Sequence, residues 1–369
     1  MYLTHLRLRN WRNIAAADLD LSPGLTIFAG PNAQGKTNIL ESVHFLATAS
    51  SHRTRRDREL IQWGQPATHI RCEVTSGTTS HKLECGLEHS NRILKRDDQP
   101  LARVGDLYGT LRVTLFAPED LEIIHGGPDR RRRFVDMTVA QMRAGYVRLL
   151  QTYRRALRQR NGILRSTRPG CQKSHDEQLD IWDASVAELG GQVVAARREA
   201  IGKLTPIFQS HYNGLAAEET AALNYETRSE GESAAEIAES ILTLLTTHRA
   251  SDLDRGSTGY GPHRDDISIE LENRPLAVFG SQGQRRTGAL ALRLAEAQLL
   301  EEESGESPVL LVDDVIYEMD QERRRRFWER IPDQYQLLVT ATDHRELAAA
   351  RRCGGMFHVN SGSLHPDRP

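Results

Sequence analysis

The sequence contains a phosphate-binding loop formed by Gly30, Pro31, Asn32, Ala33, Gln34, Gly35, Lys36 and Thr37. These residues satisfy the pattern G-x-x-x-x-G-K-[ST], after an apolar run at 25–29 and before an amphipathic helical pattern. Glycines at these places let backbone N–H groups wrap phosphate oxygens, and the helix N-terminus adds its partial positive charge. We expect Lys36 to reach the β- and γ-phosphates of ATP, and the Thr37 hydroxyl to bind Mg²⁺.

A buried strand that ends in two acidic residues is predicted at 308–314, which reads Pro-Val-Leu-Leu-Val-Asp-Asp. A phosphate-binding loop needs a metal-holding carboxylate at the end of such a strand. Asp313 is the predicted Mg²⁺ partner, through water. Asp314 is the candidate catalytic carboxylate, which would orient the attacking water. Without the phosphate-binding loop, a solvated acidic turn would be the better interpretation.

A third motif consists of Ser281, Gln282, Gly283 and Gln284. It precedes a helical run, rich in alanine and leucine, from Thr287 to about Leu300. Ser281 can cap that helix and leave its N–H groups and dipole free to hold an anion. A serine cap followed by glycine is common, so the motif gains its meaning from its position shortly before the two aspartates.

In their order along the chain, the P-loop, the Ser281 motif and the aspartate pair resemble the set found in ABC-type ATPase heads, in which the aspartate pair is followed by a segment like Tyr317-Glu318-Met319-Asp320. Other segments resemble the RecF family of bacterial recombinational repair proteins, which is related to SMC and Rad50 heads. The resembling segments are Leu-x-Leu-x-x-Trp-Arg-Asn at the start, Pro118-Glu119-Asp120, residues 123–128, residues 131–136 and residues 261–266. The resemblance extends from the first strand to about residue 345.

The resemblance implies an α/β fold: an ABC-type P-loop ATPase domain, like Rad50 and SMC heads, with a helical insertion domain. It also implies that ATP lies between two copies, held by Lys36 and Thr37 of one copy and closed by Ser281 and Gly283 of the other. Slow hydrolysis would then reverse an ATP-dependent homodimer. The implied ligands are sequence-independent duplex DNA near single-strand gaps and a RecR-type partner. The implied role is to help load the RecA recombinase in recombinational repair and replication-fork maintenance.

The sequence departs from the family pattern in the D-loop, which usually reads Ser-Glu-Leu-Asp. Tyr317 and Met319 replace the serine and the leucine, and Asp320 remains as the matching acid. ABC transporter heads have a glutamate at the place of Asp314, and the shorter aspartate indicates slow hydrolysis.

No switch histidine is assigned. Thr340-Ala341-Thr342 stands roughly at its place after the last apolar strand, and His344 lies nearby. His263 and Arg264 precede the Ser281 motif by fewer than 20 residues, so we expect them at the nucleotide interface.

Helical periodicity dominates the middle of the chain. Apolar seams at 4- and 3-residue spacings predict three or four helices, at 135–153, 179–193 and 237–245. The sequence therefore predicts a mostly helical insertion domain at 120–250, within a discontinuous ATPase head at 1–119 and 251–369. The alternative is that these helices belong to the core of one continuous domain.

Arginines cluster in two parts of the chain. One run consists of Arg53, Arg55, Arg56 and Arg58, and a larger one of Arg130 to Arg133 with Arg154, Arg155, Arg158 and Arg160. We expect phosphate contacts with DNA, without sequence specificity, from Arg53, Arg55, Arg56, Arg131 and Arg132. The alternative is a solvated helix face that pairs with the acidic stretch at 218–239. We interpret Arg323 to Arg326 as a solvated face.

Composition limits the classes of protein that the chain can belong to. It has 369 residues, with 48 Lys and Arg against 50 Asp and Glu, so nucleic acid can bind only at a local basic patch. Four isolated cysteines contain no CxxC pair, which indicates a cytoplasmic protein without a zinc ribbon or disulfide framework. No signal-peptide pattern and no run of about 18 apolar residues is present, so no membrane partner is expected.

Other P-loop classes share only part of the motif set. A transporter subunit would not need the RecF-like segments, and a Rad50- or SMC-like cohesion protein needs hundreds of coiled-coil residues. A metabolic kinase needs an acceptor-substrate site and has no use for the Ser281 motif. Two alternatives remain: an ATP-gated scaffold that contacts DNA only through protein partners, and another type of P-loop NTPase.

Overall fold

The structure is a computed structural model, and it describes residues 1–88, 91–166, 172–216, 219–315, 319–342 and 353–367. The strands are β1 (Tyr2–Trp11), β2 (Ile14–Asp20), β3 (Leu25–Ala29), β4 (Ala67–Ser76), β5 (Thr79–Glu88), β6 (Asn91–Arg96), β7 (Gln99–Pro100), β8 (Val113–Phe116), β9 (Ala221–Glu226), β10 (Asp266–Leu271), β11 (Arg274–Pro275), β12 (Val309–Val312), β13 (Leu337–Ala341), β14 (Cys353–Asn360) and β15 (Ser363–Pro366). The α-helices are α1 (Lys36–Thr48), α2 (Leu121–His125), α3 (Pro128–Met142), α4 (Tyr146–Ser166), α5 (Gln172–Leu215), α6 (Ala234–Thr247), α7 (Arg249–Arg255), α8 (Leu276–Phe279), α9 (Gln282–Ser304) and α10 (Gln321–Glu329).

The motifs of the P-loop and the two aspartates lie on one sheet with the strand order β15-β14-β3-β13-β12-β8. All neighbouring strands in it are parallel except the antiparallel pair β14 and β15. Val339 of β13 lies opposite Ile27 on one side and Val312 on the other. Because the strands are parallel, the carboxyl ends of β3, β12 and β13 meet at one edge, where the residues that follow them converge.

The two faces of this sheet pack against different layers. Leu311 and Leu338 belong to a core that includes α1 and a second, antiparallel sheet of order β2-β1-β4-β5-β6-β7. Leu310 and Val312 belong to a core with residues of α3, α5 and α9. Successive residues of a strand point to opposite faces, so strands covered on both faces need uninterrupted apolar runs. The apolar strands expected at 308–312 and 336–340 are observed as β12 and β13.

The middle of the chain is mostly helical, with more helices than expected. The apolar seam at 135–153 is shared by α3 and α4, which are separated at residues 143–145, where Gly145 has a φ of +88°. Five helices, α2 to α6, therefore lie within residues 120–250 of the described chain instead of three or four. β9 also lies there and pairs with β10 beyond it, with Leu223 opposite Ile269. The division at residues 120 and 250 stays a prediction.

Cys72, Cys85 and Cys353 have free thiols, and Cys171 lies outside the described residues. Among the helices that the structure describes, none has the length and apolar character to cross a membrane.

Candidate nucleotide-binding site

The loop at 30–37 joins β3 to α1 and encloses its own lysine. Nζ of Lys36 donates hydrogen bonds to the carbonyl oxygens of Gly30 (2.8 Å) and Pro31 (2.9 Å), and the residue is only 3% exposed. The N–H of Gly30 donates to the carbonyl oxygen of Ala341 at the end of β13 (3.0 Å). The ammonium group therefore lies inside the loop, where a P-loop cradles phosphates.

Gly35 is required by both backbone conformation and space. Its φ is +114°, and a Cβ atom there would lie 2.6 Å from Oδ1 of Asn13. Asn13, from the opening Trp-Arg-Asn segment, donates through Nδ2 to the carbonyl oxygen of Gln34 (3.0 Å) and accepts from Nδ2 of Asn38 (2.8 Å). Oε1 of Gln34 accepts from the N–H of Ser361 (2.7 Å), between β14 and β15. Contacts from both ends of the chain therefore fix the loop.

Asp313, Thr37 and Thr340 form a buried polar cluster at the carboxyl ends of the strands. Oδ1 of Asp313 accepts hydrogen bonds from Oγ1 of Thr37 (3.0 Å) and Oγ1 of Thr340 (2.8 Å). Asp313 is 4% exposed and Thr340 is fully buried. The pKa of Asp313 is raised to about 6, chiefly by burial and also by the carboxylates of Asp314 and Glu119, while the two hydroxyl groups oppose the shift.

This cluster fits a divalent cation that binds together with a nucleotide. Mg²⁺ prefers hard oxygen ligands and commonly takes one or two from the protein, with the rest from phosphates and water. The Thr37 hydroxyl and the Asp313 carboxylate are such ligands. Within the described part of the chain, no group of three or more His, Cys, Asp or Glu side chains could hold a metal ion. The donor set present therefore fits the shared mode of binding and not a metal cage made by the protein alone.

Asp314 has an uncommon backbone conformation, with a φ of +53°. Its N–H donates to Oγ1 of Thr340 (2.9 Å). The single hydroxyl proton of Thr340 is directed to Asp313, since Oδ1 of Asp313 is 2.8 Å away and Oδ1 of Asp314 is 3.3 Å away. Left-handed backbone in a residue other than glycine tends to occur at functional sites.

Thr340 stands near the expected position of a switch histidine, and its contact with Asp313 was not predicted from the sequence. The feature that could have indicated this contact is the presence of a polar residue in the otherwise apolar run of β13. All five residues of that strand, Leu337–Ala341, are buried. His344, the other residue considered for the switch, lies outside the described residues.

Ser281 caps the N-terminus of α9, as expected, although the helix begins earlier than Thr287. Oγ of Ser281 accepts from the N–H of Gln284 (3.2 Å), and Oε1 of Gln284 accepts from the N–H of Ser281 (2.8 Å). Ser281 and Gln282 are exposed. Among the described residues, no hydrogen bond joins residues 281–284 to the loop at 30–37. Hydrogen bonds thus join the P-loop to the aspartate pair within one copy, and none of those in the described chain joins the Ser281 motif to them.

Asp320 caps α10, since its Oδ1 accepts from the N–H of Arg323 (2.8 Å). The guanidinium group of Arg323 lies over Gly283: a Cβ atom on that glycine would be 3.0 Å from Nη2. The Arg323 side chain is 37% exposed, in line with a solvated face, and its head also contacts the Ser281 motif. Tyr317 and Glu318 of the D-loop lie outside the described residues.

His263 and Arg264 make contacts with the helical part of the chain. Nε2 of His263 donates to the carbonyl oxygen of Thr258 (3.1 Å), so Nδ1 accepts from the hydroxyl of Tyr153 on α4 (2.6 Å). The pKa of His263 is lowered to about 4, chiefly by burial and also by nearby arginines. Arg264 also donates to the Thr258 carbonyl oxygen (3.0 Å). These bonds connect the segment before β10 to α4.

The arginines of α3 and α4 differ from the expectation of a free basic surface. Arg131 pairs with both carboxylate oxygens of Asp266 (2.8 and 2.7 Å) and its side chain is 13% exposed. Nη1 of Arg132 donates to the carbonyl oxygen of Asp265 (2.6 Å). Arg160 is fully buried and bound to Asp183 and Asp252. Its inclusion in the basic DNA-facing run was therefore wrong, since a buried, paired guanidinium cannot reach a phosphate.

The first arginine run is more accessible. The side chains of Arg55 and Arg56 are 79% and 84% exposed. Arg53 is 40% exposed, and its Nη1 donates to Oδ1 of Asn38 (2.8 Å), next to Thr37. The run therefore begins beside the nucleotide motif and extends into solvent.

The P-loop follows β3 and Asp313 follows β12, with β13 between the two strands. Together with the capped helix of the Ser281 motif, this arrangement fits an ABC-type ATPase head of the SMC and RecF class. A family model described as "RecF/RecN/SMC N terminal domain" matches residues 2–365. The DNA replication and repair protein RecF of Streptococcus uberis is 37% identical over 372 residues, covering all of both chains. RecF of Halothermothrix orenii is 38% identical over 350 residues, 93% of this chain and 92% of the relative. The chain belongs to the RecF family.

Solved structures agree with this placement. The recombination mediator protein RecF in the RecFOR pathway, solved with ATP, is 30% identical with a TM-score of 0.92, covering 100% of this chain and 98% of that one. The form with ATPrS is 29% identical with a TM-score of 0.91 and the same coverage. An Smc head domain from Pyrococcus furiosus is 14% identical with a TM-score of 0.57, covering 99% and 96% of the two chains, a likeness of fold alone. The predicted family and fold class are confirmed.

Proposed function

We propose that this protein is an ATP-dependent DNA-binding ATPase of recombinational repair and replication-fork maintenance. Two copies close over ATP, bind duplex DNA near single-strand gaps and, with a RecR-type partner, help to load the RecA recombinase. The observation that carries the proposal is the cluster of Thr37, Asp313 and Thr340 under the P-loop, to which no hydrogen bond among the described residues joins the exposed Ser281 of the same copy. Relatives named as DNA replication and repair proteins, and solved as recombination mediators with ATP, support the same assignment.

Lys36, Thr37 and Asp313 are the proposed residues for ATP and its metal. Among the described residues, two neutral carbonyl oxygens accept the hydrogen bonds of Lys36, and phosphate oxygens form stronger charge-assisted bonds with an ammonium group. Thr37 and Asp313 would hold Mg²⁺, which when bound neutralises phosphate charge. Asp314 orients the attacking water. Its shorter side chain is the reason to expect slow turnover.

Ser281 is proposed to contact the γ-phosphate held by a second copy. Its Oγ already accepts the N–H of Gln284, so its hydroxyl proton remains available to donate to an anion. The exposed N-terminus of α9 adds its partial positive charge. A motif that meets the nucleotide only across two copies makes ATP the bridge between them, and hydrolysis removes that bridge.

A matched pair of variants tests the bridge. Aspartate and asparagine are both good helix caps, so Ser281→Asp and Ser281→Asn should both keep α9 capped. Ser281→Asp places a negative charge against the γ-phosphate, and we expect it to bind ATP but not to dimerise, as measured by sedimentation velocity. Ser281→Asn should retain more of the ATP-dependent dimer. If the Ser281→Asp protein dimerises as the wild type does, the proposal that ATP bridges the two copies through Ser281 is wrong.

The exposed run of Arg53, Arg55 and Arg56 is the proposed DNA contact. Guanidinium groups in solvent can pair with backbone phosphates of any sequence and release counterions, so binding should weaken steeply with salt. Arg131 and Arg132 are weaker candidates, since their head groups are already bound to the Asp266 carboxylate and the Asp265 carbonyl oxygen. We also propose that residues 120–250 form the insertion domain. We further propose a cytoplasmic location, with which the free thiols of the described cysteines agree.

The function as a whole is tested by the steady-state ATPase rate against protein concentration, with and without duplex DNA. Lys36→Ala is the blank. We expect the wild-type rate to rise with DNA and to grow faster than linearly with protein, because each site needs two copies. A linear rate that ignores DNA, from a protein that still binds ATP, would favour the ATP-gated scaffold.

A further inference from the structure

Three large apolar side chains lie exposed beside the two halves of the proposed ATP site. Trp63 is 99% exposed, Val278 is 67% exposed and Phe279 is 65% exposed. Trp63 lies on the P-loop side, and Val278 and Phe279 lie three and two residues before Ser281. Exposed aromatic residues grouped around a functional motif are typical of a surface that becomes buried in a complex.

Trp63 stands at the tip of a fixed turn. The N–H of Gln65 donates to the carbonyl oxygen of Gln62 (3.0 Å), and Gly64 has a φ of +81°, as a type II turn requires. The N–H of Gln62 donates to the carbonyl oxygen of Asn10 on β1 (2.8 Å). The indole is therefore held out into solvent by an ordered backbone, so little conformational entropy is lost when it is covered.

Trp63 lines a groove of about 920 Å³ that lies beside the P-loop. Its wall includes Asn13 and Asn38, the two side chains that brace Gln34 and Gly35. Arg53 and Arg56 line the same groove. A group that approaches the phosphates from outside the copy therefore has Trp63 beside its path.

Val278 and Phe279 are also rigidly presented. They end the single turn of α8, whose first residue, Leu276, is 1% exposed. A Cβ atom on Gly288 of α9 would lie 2.5 Å from Cδ2 of Leu276, so α8 is pressed against α9 at this point. Only one residue, Gly280, separates Phe279 from Ser281, so this apolar pair moves with the Ser281 motif.

We propose that Val278 and Phe279 of one copy pack against Trp63 of a second copy when ATP closes the dimer. The inference rests on the proposed function, because the Ser281 motif must first face the other copy's P-loop. Once α9 points at those phosphates, α8 arrives at the groove beside them. A two-fold dimer makes the contact twice, and each contact buries an indole against a phenyl ring, the type of pair that dominates interface energies.

The fluorescence of Trp63 gives a direct test in the full-length protein. Of the other tryptophans, Trp11 is fully buried, Trp328 is 7% exposed and Trp182 is partly buried, so the most red-shifted emission comes from Trp63. With a slowly hydrolysed ATP analogue and Mg²⁺, we expect that emission to shift to the blue in step with dimerisation measured by sedimentation. The Trp63→Phe protein should lose the shift.

Phe279→Ala should weaken ATP-dependent dimerisation at least tenfold and leave ATP binding by the monomer unchanged. Ile181→Ala is the matched control, since Ile181 is 66% exposed and lies on α5; it should dimerise as the wild type does. Both changes remove exposed side chains, so neither should unfold the protein.

The remaining outcomes separate other occupants of the groove. A blue shift that persists in monomeric Ser281→Asp protein would mean that Trp63 stacks on the adenine of its own copy, and would overturn the inference. A shift with duplex DNA alone would overturn it in favour of a DNA contact. If the wild type dimerises with ATP and the Phe279→Ala protein dimerises equally well, the contact with Trp63 is ruled out and the proposed function stands. If the wild type stays monomeric with ATP, both fail.

Discussion

The hydroxyl group of Thr340 donates a 2.8 Å hydrogen bond to Oδ1 of Asp313 across two neighbouring parallel strands. Val312 and Val339 are partners in the register of β12 and β13, so the next residue on each strand is held side by side. The same hydroxyl oxygen accepts the N–H of Asp314. Thr340 therefore positions both carboxyl-bearing residues of the proposed catalytic site without being acidic itself.

Replacing Thr340 should impair hydrolysis more than nucleotide binding. Thr340→Val keeps the volume and the β-branched shape but removes the hydrogen bond to Asp313, and a hydrogen bond to a charged group contributes about 1.5–3 kcal/mol. We expect the ATPase rate to fall by about tenfold or more. Thr340→Ser, which restores the hydroxyl, should recover most of the rate. Equal rates for the valine and serine proteins would show that the hydroxyl has no such role.

Gly283→Val should disrupt the Ser281 motif through Arg323. The added side chain would occupy the place where the guanidinium group of Arg323 lies, since even a Cβ atom would be 3.0 Å from Nη2. We expect ATP-dependent dimerisation to weaken about tenfold while ATP binding by the monomer stays unchanged. The double variant Gly283→Val with Arg323→Ala removes the collision, and should recover part of the loss. No recovery in sedimentation experiments would contradict this contact.

Arg131 and Arg56 should have opposite phenotypes. Arg131→Ala leaves the Asp266 carboxylate without its bidentate partner, so we expect the free energy of unfolding to fall by about 1–3 kcal/mol, measured by urea titration. Arg56→Ala should leave stability unchanged and reduce by about 1 the slope of the logarithm of DNA affinity against the logarithm of salt concentration. A stable Arg131→Ala protein with weakened DNA binding would reverse these assignments.

His263 should make stability fall as the pH falls. Its pKa is lowered from 6.5 to about 4 in the folded protein, so between these values the unfolded chain binds more protons than the folded one. The stabilisation is complete above pH 6.5 and is lost as the pH falls through 4, by up to about 3 kcal/mol. His263→Gln should flatten urea midpoints over this range. His365→Gln, a change at an exposed residue, is the control and should leave the slope unchanged.

The parts of the site that are local in sequence could be predicted from the sequence. The P-loop, the strand before Asp313 and the Ser281 cap each depend on contiguous residues with a fixed chemical pattern, and all three are found on the elements expected for them. The partners of single side chains could not be predicted. Arg131, in a run of four arginines, had the pattern of a solvated basic surface, and its pairing with Asp266 depends on two segments 135 residues apart.

By itself, the sequence determined the class of fold, the phosphate-binding loop, the two carboxylates and the capped helix of the Ser281 motif. The class of fold follows from the resemblance of the whole motif set to the RecF family. The other three follow from short-range backbone chemistry, which depends on neighbours along the chain. Only the tertiary structure decided that Thr340 serves Asp313, that Arg323 covers Gly283, and that Trp63 and Phe279 stay exposed beside the two halves of the site. These relationships depend on strand register and on the packing of distant elements, which no local pattern encodes.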